Sequence, residues 1–234
     1  MLPVAILAGG LATRLHPITE TIPKALIEVA GVPFICRQLE YLRIQGITRV
    51  VLCVGYLGEM IKAVVGDGKR FRIDAAYSFD GPVLLGTGGA LKKALPLLGE
   101  QFFVLYGDSF LPVSFAPVER AFFESKKAAI MTVLENGNRW DKSNVLLRKG
   151  NLVEYNKYAP RPEMSFIDYG LGILTSRVLE TYPRGEKLDL SEVYHALSIQ
   201  GELAGYEVHE RFYEIGSLNG LKETETYFLK KGKI

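Results

Sequence analysis

Residues suited to holding phosphate groups lie near the start of the chain. The apolar run Val4–Leu7 is followed by Gly9 and Gly10, and two cations, Arg14 and Lys24, come soon after. Glycine lets backbone N–H groups close on phosphate oxygens because no Cβ stands in the way. Arginine adds a planar fork and lysine a compact point charge. Together they predict a polyphosphate site, whereas each feature alone is more typical of a strand-ending turn with ordinary surface cations.

An acidic residue follows a second apolar run. Residues 102–106 are apolar, and Gly107-Asp108 comes directly after them. Mg²⁺ is a hard ion that binds one or two carboxylates together with substrate phosphates, so Asp108 is a candidate ligand. A turn-forming aspartate is the alternative interpretation. The three histidines have no metal-ligand spacing.

A second glycine-rich segment, at 85–90, has the sequence L-G-T-G-G-A and opens a predicted helix. Bare backbone at Gly88 and Gly89 predicts a close approach to a flat base and the phosphates that follow it. A flexible turn before a helix is the alternative. The Gly-Lys-Ser/Thr of a P-loop is absent from the sequence, and so is the G-x-G-x-x-G spacing, which disfavours a dehydrogenase.

These residues need a scaffold that brings the ends of several strands together. Apolar runs alternate with helical patterns through the first half, which predicts a parallel sheet with helices on both faces. Ligands bind such sheets at the carboxyl ends of the strands. The predicted strands are 4–7, 49–54, 73–77 and 102–106, and the predicted helices are 33–45, 60–65 and 90–98.

The second half has short strands joined by tight turns, which predicts antiparallel additions to the sheet. The predicted strands are 129–134, 144–147, 152–155, 171–175 and 203–208, and the predicted helices are 190–200 and 218–231. No repeat or linker interrupts the chain. We therefore expect an α/β fold with a Rossmann-like, mostly parallel central sheet, in a single domain spanning 1–234.

Composition disfavours several classes of partner. The 234 residues are 48% hydrophobic and 23% charged, with a formal net charge of +2. Nucleic-acid binding requires a concentrated basic patch, which this chain lacks. No stretch approaches about 18 uninterrupted apolar residues, so no membrane span is expected. Only two cysteines occur, and Cys53 lies in an apolar run, which favours a reduced, cytoplasmic protein.

The segment L-A-G-G-L-A-T-R-L-H-P-I-T-E-T-I-P-K-A-L-I-E-V, which starts at Leu7, resembles the signature of the sugar-phosphate nucleotidyltransferase family. The similarity continues through most of the chain and fades between about 110 and 128. In that family the glycine turn wraps the triphosphate, the arginine holds its phosphates and the lysine orients the reacting phosphates. The resemblance gives these last two roles to Arg14 and Lys24 and implies a GT-A-like fold. The residues expected to bind the nucleotide are Leu7, Ala8, Gly9, Gly10, Thr13, Gly88 and Gly89.

The resemblance also implies a Mg²⁺ cofactor and a sugar pocket. Asp108 matches the family's Gly-Asp metal motif, and Glu214 stands where a second metal-binding aspartate is usual. Lys157 matches the family's lysine near the sugar phosphate, whereas Asn156 stands where a glutamate is usual. The residues expected to bind the sugar are Asn144, Glu154, Lys157, Tyr169 and Gly170. On this basis 1–110 is the nucleotide-binding half and 111–234 the sugar-binding half.

The reaction implied by the resemblance joins a nucleoside triphosphate to a sugar 1-phosphate and releases pyrophosphate. The L-G-T-G-G-A loop, preceded by Tyr77-Ser78, is most similar to enzymes that make nucleotide-linked heptoses, so GTP with a heptose 1-phosphate is the expected pair. The segment G-D-G-K-R-F at 66–71 also resembles uridylyltransferases acting on N-acetylmuramate 1-phosphate. UTP with that sugar, or with a hexose 1-phosphate, is the alternative.

The glutamate at 214 leaves a further alternative of another class, a nucleotide-sugar-binding regulator without catalysis. Retention of Arg14, Lys24 and Asp108 together favours the enzyme. No nucleic-acid or membrane partner is expected. The sequence leaves open whether the chain forms a homo-oligomer.

Overall fold

The computed structural model describes residues 1–10, 15 and 17–231, with the backbone alone at Ile18. The described strands are β1 (Val4–Leu7), β2 (Glu28–Val29), β3 (Val32–Pro33), β4 (Arg49–Val54), β5 (Asp74–Phe79), β6 (Gln101–Tyr106), β7 (Ser109–Phe110), β8 (Ala129–Glu135), β9 (Val145–Arg148), β10 (Asn151–Tyr155), β11 (Phe166–Thr175), β12 (Leu203–Val208) and β13 (Tyr213–Glu214). The described α-helices are α1 (Phe34–Ile44), α2 (Gly58–Val65), α3 (Gly86–Leu98), α4 (Phe115–Ser125), α5 (Ser176–Glu180), α6 (Leu190–Ile199) and α7 (Leu218–Lys231). Short 3₁₀ helices lie at Ile18–Glu20, Lys24–Leu26 and Lys69–Phe71.

The central sheet has the strand order β5-β4-β1-β6-β11. Beyond β11 the sheet continues with β8 and then β12. The β9–β10 hairpin pairs with the first residue of β11, Phe166. Strands β5, β4, β1 and β6 are mutually parallel, whereas β11 runs antiparallel to β6 and to β8. Leu7 at the end of β1 is paired with both Cys53 and Tyr106. The carboxyl ends of three neighbouring strands therefore meet at one edge. The prediction of a mostly parallel sheet with antiparallel additions is confirmed.

Helices cover both faces of the sheet, as the continuous apolar strands predict. Val50 and Val51 are adjacent in β4 and fully buried on opposite faces. Helices α1, α2 and α4 bury their apolar sides on the face of Val50, where Ile35 and Leu39 of α1 pack. Helices α3, α5 and α6 cover the other face, where Leu91 of α3 packs. Each strand is thus fixed from both sides.

A third apolar cluster joins the C-terminal helix to the segment that follows the first glycine turn. Its buried members are Leu15, Ile27, Val29, Phe34, Phe110, Ile215 and Phe228. The rings of Phe110 and Phe228 lie 4.7 Å apart, and the guanidinium of Arg37 lies 4.4 Å from the Phe228 ring centroid. Helix α7 therefore supports the polypeptide around Lys24.

Several element boundaries differ from the sequence-based expectation. Helix α3 begins at Gly86, four residues before its predicted start, and β11 begins at Phe166, five residues early. Helix α4 was not predicted. It carries Pro117 in its first turn, where a missing N–H costs no helical hydrogen bond. The proposed division at residue 110 stays a prediction.

No helix among the described residues is both long and apolar enough to span a bilayer.

Candidate functional site

The turn after β1 forms one wall of a cleft at the carboxyl edge of the sheet. A Cβ on Gly9 would lie 3.1 Å from the backbone N of Gly55, so the turns after β1 and β4 pack backbone against backbone. Among residues 1–10, 15 and 17–231, no atom would lie within 4 Å of a Cβ on Gly10. The predicted residues Thr13 and Arg14 lie outside the described residues.

This narrow cleft has a volume of about 240 Å³. Leu7, Ala8, Gly9, Gly10, Lys24 and Asp108 of the predicted site line it, together with Ala25, Cys53, Asp80, Leu84, Gly86, Thr87, Ala90, Tyr106 and Gly107. Most of the lining is apolar, and its charged residues are Lys24, Asp80 and Asp108. Such a cleft suits a flat base together with phosphate groups.

A cation and an acid from distant parts of the chain meet in the narrow cleft. Lys24 Nζ lies 2.9 Å from Asp108 Oδ2, and both side chains are partly exposed to the cleft. Lys24 opens a 3₁₀ helix, and Asp108 follows Gly107 at the end of β6. A Cβ on Gly107 would lie 2.8 Å from the carbonyl oxygen of Leu7, so glycine is required for the turns after β1 and β6 to pack this closely. At this edge of the sheet, the predicted catalytic lysine therefore forms an ion pair with the predicted metal ligand.

The L-G-T-G-G-A loop packs against a partner segment, the loop before α6. The N–H groups of Gly88 and Gly89 both donate to the carbonyl of Leu188, over 2.9 and 3.2 Å. Gly86 has φ +72°, and a Cβ there would lie 2.6 Å from the same carbonyl. Gly86 and Thr87 reach the narrow cleft, whereas Gly88 and Gly89 are buried behind it. Nucleotide binding by Gly88 and Gly89 stays a prediction, and the contacts described give them a packing role.

Thr87 links this loop to Asp189, the residue that caps α6. Its hydroxyl donates to Asp189 over 3.1 Å and accepts from the Leu190 N–H over 2.8 Å. Asp189 also accepts from the hydroxyl of Tyr158 over 2.8 Å and from the N–H of Ser191. Burial alone would raise the pKa of Asp189, but these hydrogen bonds and the charge of Lys157 lower it to about 2. Asp189 is therefore ionised at neutral pH.

Asp80, directly after β5, is a cleft residue that the sequence analysis missed. It is 9% exposed, and its Oδ2 accepts from the Leu85 N–H over 3.2 Å. A Cβ on Gly9 would lie 3.6 Å from the same oxygen, so the carboxylate stands over the glycine turn. Burial raises the pKa of Asp80 above its usual value of 3.8. Its position after a strand at the carboxyl edge is the signal that could have identified it.

A wide cavity of about 750 Å³ adjoins the narrow cleft, and the two share Thr87, Tyr106 and Asp108. Asn144, Lys157, Tyr169 and Gly170 of the predicted sugar site line it, as do Asp168, Asp189 and Glu214. The segment at 66–71 lines neither space. Two spaces that meet at Asp108 are suited to two ligands that react with each other.

Glu154 is the predicted sugar residue that the structure places elsewhere. It is 4% exposed and forms an ion pair of 2.5 Å with Arg161. The pairing of β9 with β10 shifts register between Leu152 and Glu154, and both side chains are buried. A buried carboxylate requires a partner, which Arg161 supplies. Glu154 therefore does not reach the wide cavity.

Asp168 borders the wide cavity although only its neighbours were predicted. The pairing of its strand, β11, with β8 shifts register between Asp168 and Gly172, and Gly170 has φ +99°. The Asp168 carboxylate accepts from the Gly170 N–H over 2.9 Å, and its own N–H donates to Asn144 Oδ1 over 2.9 Å. Burial raises the pKa of Asp168 to about 6. Asp168 of the irregular strand β11 thus lies beside the side-chain amide of Asn144.

Glu214 lies close to Asp108 along the backbone. Strand β13 pairs with β7, which sets Glu214 opposite Ser109, and the N–H of Ile215 donates to the Asp108 carbonyl over 3.0 Å. The Glu214 carboxylate accepts from the Gly216 N–H and from the Ser217 hydroxyl. Within the described ranges no three metal-binding side chains are grouped. Metal binding by Glu214 stays a prediction.

Comparison with known proteins gives consistent matches. A family model described as nucleotidyl transferase matches residues 4–142. The N-acetylmuramate alpha-1-phosphate uridylyltransferase of Neisseria meningitidis serogroup B is 29% identical, over 94% of this chain and 95% of that protein. The D-glycero-alpha-D-manno-heptose 1-phosphate guanylyltransferase of Campylobacter jejuni is 32% identical, over 80% of this chain and 82% of that protein.

A solved structure supports the fold. The inositol-1-phosphate CTP transferase from T. maritima superimposes with a TM-score of 0.81 at 20% identity, over all of this chain and 98% of that one. At this identity the likeness concerns the fold alone.

Proposed function

Since the chain belongs to the nucleotidyl transferase family and is a sugar-1-phosphate nucleotidyltransferase, we propose that it transfers guanosine monophosphate from GTP to a heptose 1-phosphate. The observation that carries the proposal is the Lys24–Asp108 pair at the junction of the narrow cleft and the wide cavity. The nucleotide occupies the narrow cleft, and the sugar occupies the wide cavity. Their phosphates then meet beside Lys24.

The chemistry requires no general base. An oxygen of the sugar 1-phosphate, already ionised near neutral pH, attacks the α-phosphorus of GTP. The bond from that phosphorus to the bridging oxygen breaks, and pyrophosphate leaves with the electron pair. The protein must bring two polyanions together and stabilise the charge that develops. The proposal gives Lys24 the stabilisation of this charge and Arg14 the holding of the phosphates.

The residues present fit a magnesium ion at Asp108. This carboxylate stands at the end of β6 and borders both the narrow cleft and the wide cavity. Mg²⁺ commonly binds through one or two carboxylates together with substrate phosphates. When bound, it would supply positive charge for the α-phosphate and the departing pyrophosphate. Asp108 would hold it, and the contact with Lys24 would orient the Asp108 carboxylate.

The position of Asp80 supports guanine as the base. One oxygen of its carboxylate already accepts from Leu85, and a carboxylate has room for further donors. Guanine presents two adjacent donors, N1–H and the N2 amino group, whereas uracil presents a single N–H between two carbonyl oxygens. A carboxylate beside uracil would face a carbonyl oxygen, which is unfavourable in a low-dielectric cleft.

The test is the ratio of kcat/KM for GTP and UTP, read by pyrophosphate release. We expect GTP to be preferred, and Asp80→Asn to lower kcat/KM for GTP about 10- to 100-fold, the worth of a hydrogen bond to a charged group. Asp74→Asn is the matched control, because Asp74 is exposed at the other end of β5 and pairs with Arg49. A preference for UTP with every sugar would contradict the proposal.

The lining of the wide cavity supports a sugar rich in hydroxyl groups. Asn144 and Asp168 stand side by side, and Lys157 lines the same cavity. An amide offers both a donor and an acceptor, and a carboxylate accepts from two hydroxyls. A panel of sugar 1-phosphates with GTP tests this choice, and a heptose 1-phosphate is expected to give the highest kcat/KM.

The second candidate pair is UTP with N-acetylmuramate 1-phosphate. It is favoured by the similarity to the N-acetylmuramate alpha-1-phosphate uridylyltransferase of Neisseria meningitidis, which covers 95% of that protein. Preferred turnover of that pair would replace the first proposal. A regulator without catalysis predicts tight nucleotide-sugar binding and no pyrophosphate release.

A further inference from the structure

The carboxylate of Glu214 is held at the beginning of α7. One oxygen accepts from the Gly216 N–H, and the other accepts from the Ser217 hydroxyl over 2.6 Å. Ser217 in turn accepts from the Gly220 N–H over 3.0 Å, and Thr224 donates to the Glu214 carbonyl over 2.8 Å. A negative group at the start of a helix is favoured by the unpaired N–H groups and the helix dipole.

Gly220 makes room for this arrangement. A Cβ on Gly220 would overlap Oε1 of Glu214 and would lie 2.8 Å from the Glu214 carbonyl oxygen. Glycine is otherwise a poor choice in the first turn of a helix, because it disfavours the helical state relative to alanine. The long side chain of Glu214 and the bare backbone of Gly220 therefore fit each other.

We propose that Glu214 anchors the start of α7 and does not bind the metal ion, and that Gly220 is the residue that permits this role. An aspartate at 214 would be one methylene shorter and would not reach as far along the helix. Asp108 together with the substrate phosphates provides the ligands that Mg²⁺ needs. This inference rests on the proposed magnesium site at Asp108.

A double-mutant cycle in thermal unfolding tests the anchor. Gly220→Ala is expected to lower Tm by about 4–8 °C, since overpacking is costly in a chain of this size. In a Glu214→Ala background the same change is expected to lower Tm by less than half as much, because only the carbonyl contact remains. Asn219→Ala, at the exposed preceding residue, is the control and should shift Tm by less than about 2 °C. Equal shifts in both backgrounds would overturn the anchor.

Metal affinity tests the other half of the inference. Mn²⁺ is titrated by electron paramagnetic resonance in the presence of a non-hydrolysable GTP analogue. Glu214→Ala is expected to leave the Mn²⁺ Kd within threefold, whereas Asp108→Asn should raise it at least tenfold. A tenfold loss on Glu214→Ala would overturn the inference. Glu214→Gln, which keeps the side-chain shape, repeats this measurement if the alanine variant does not fold.

The two possible failures can be told apart. If Asp108→Asn leaves Mn²⁺ binding unchanged, the proposed metal site is wrong. If both variants lose Mn²⁺, the metal site at Asp108 stands, and the inference that Glu214 does not bind the ion fails.

Discussion

Gly10 and Gly88 belong to the two glycine-rich motifs, and the structure predicts opposite outcomes when each becomes alanine. Within the part of the chain that the structure describes, a Cβ on Gly10 meets nothing within 4 Å, and the φ of Gly10 lies outside the left-handed region. A Cβ on Gly88 would lie 2.7 Å from Leu188 Cγ and 3.0 Å from its Cδ2. The methyl group of Gly10→Ala therefore meets no described part of the protein and is expected to enter ligand space, whereas that of Gly88→Ala collides with Leu188.

The magnitudes follow from these contacts. Overpacking costs about 1–3 kcal/mol, and its central value of about 2 kcal/mol should lower the Tm of Gly88→Ala by about 4–8 °C in a chain of this length. Gly10→Ala should leave Tm within about 2 °C, because alanine at a compatible backbone position tends to stabilise. If the Gly10 backbone approaches a phosphate, the added methyl group should raise the KM for GTP at least about tenfold, which corresponds to roughly 1.4 kcal/mol.

The assay combines thermal unfolding without ligand and steady-state pyrophosphate release over a range of GTP concentrations. The reasoning is refuted if Gly10→Ala keeps the KM of the unmodified protein. It is refuted equally if Gly88→Ala keeps the original Tm, since the close packing on Leu188 would then carry no energetic weight.

Three further predictions concern the charged residues. Asp108→Asn should lower turnover at least about 100-fold at saturating magnesium, because a neutral amide binds the ion poorly; near-normal turnover would remove Asp108 from the metal site. Arg14→Lys should lower turnover strongly, since an ammonium cannot reproduce a bidentate phosphate contact; a loss of Tm with specific activity kept would indicate a structural ion pair. The folded-state pKa of Asp168, about 6, exceeds its usual 3.8, so its contribution to stability falls as pH rises from about 4 to 6. Asp168→Asn should remove that loss in unfolding experiments across this range, and an unchanged pH profile would refute the burial argument.

The parallel half of the sheet follows from local sequence signals, and so does the choice of Lys24 and Asp108 as candidate site residues. Apart from the first residues of β4 and β6, strands β1, β4 and β6 are continuous apolar runs, whereas β5 carries Asp74 and Ser78. The first glycine turn and Gly107-Asp108 closely follow the ends of β1 and β6. Because the carboxyl ends of parallel strands share one edge, Asp108 lies beside the turn after β1. The tertiary fold then brings Lys24, 84 positions earlier in the chain, within 2.9 Å of it. The magnesium ion itself stays a prediction.

Other parts of the site depend on contacts that sequence patterns do not encode. Glu154 occupies a strand position that suits a ligand, but its burial is decided by Arg161 in a later loop. Asp80 is a candidate site residue only because the fold brings Gly9 and Leu85 close to its carboxylate. The glycines at 88 and 89 fit a phosphate loop equally well until the partner segment at Leu188 is placed. In each case tertiary packing determines the surroundings of the residue, which the sequence pattern does not show.

The sheet keeps the groups proposed to read the base and the sugar far apart. Asp80 follows β5 and Asp168 lies in β11, with β4, β1 and β6 between them. Four inter-strand steps amount to about 19 Å. Substitutions separated by more than about 7–10 Å usually have additive free energies. Base preference and sugar preference can therefore change independently during evolution. By the same argument, substitutions that alter the base preference and substitutions that alter the sugar preference can be found separately and then combined in one variant.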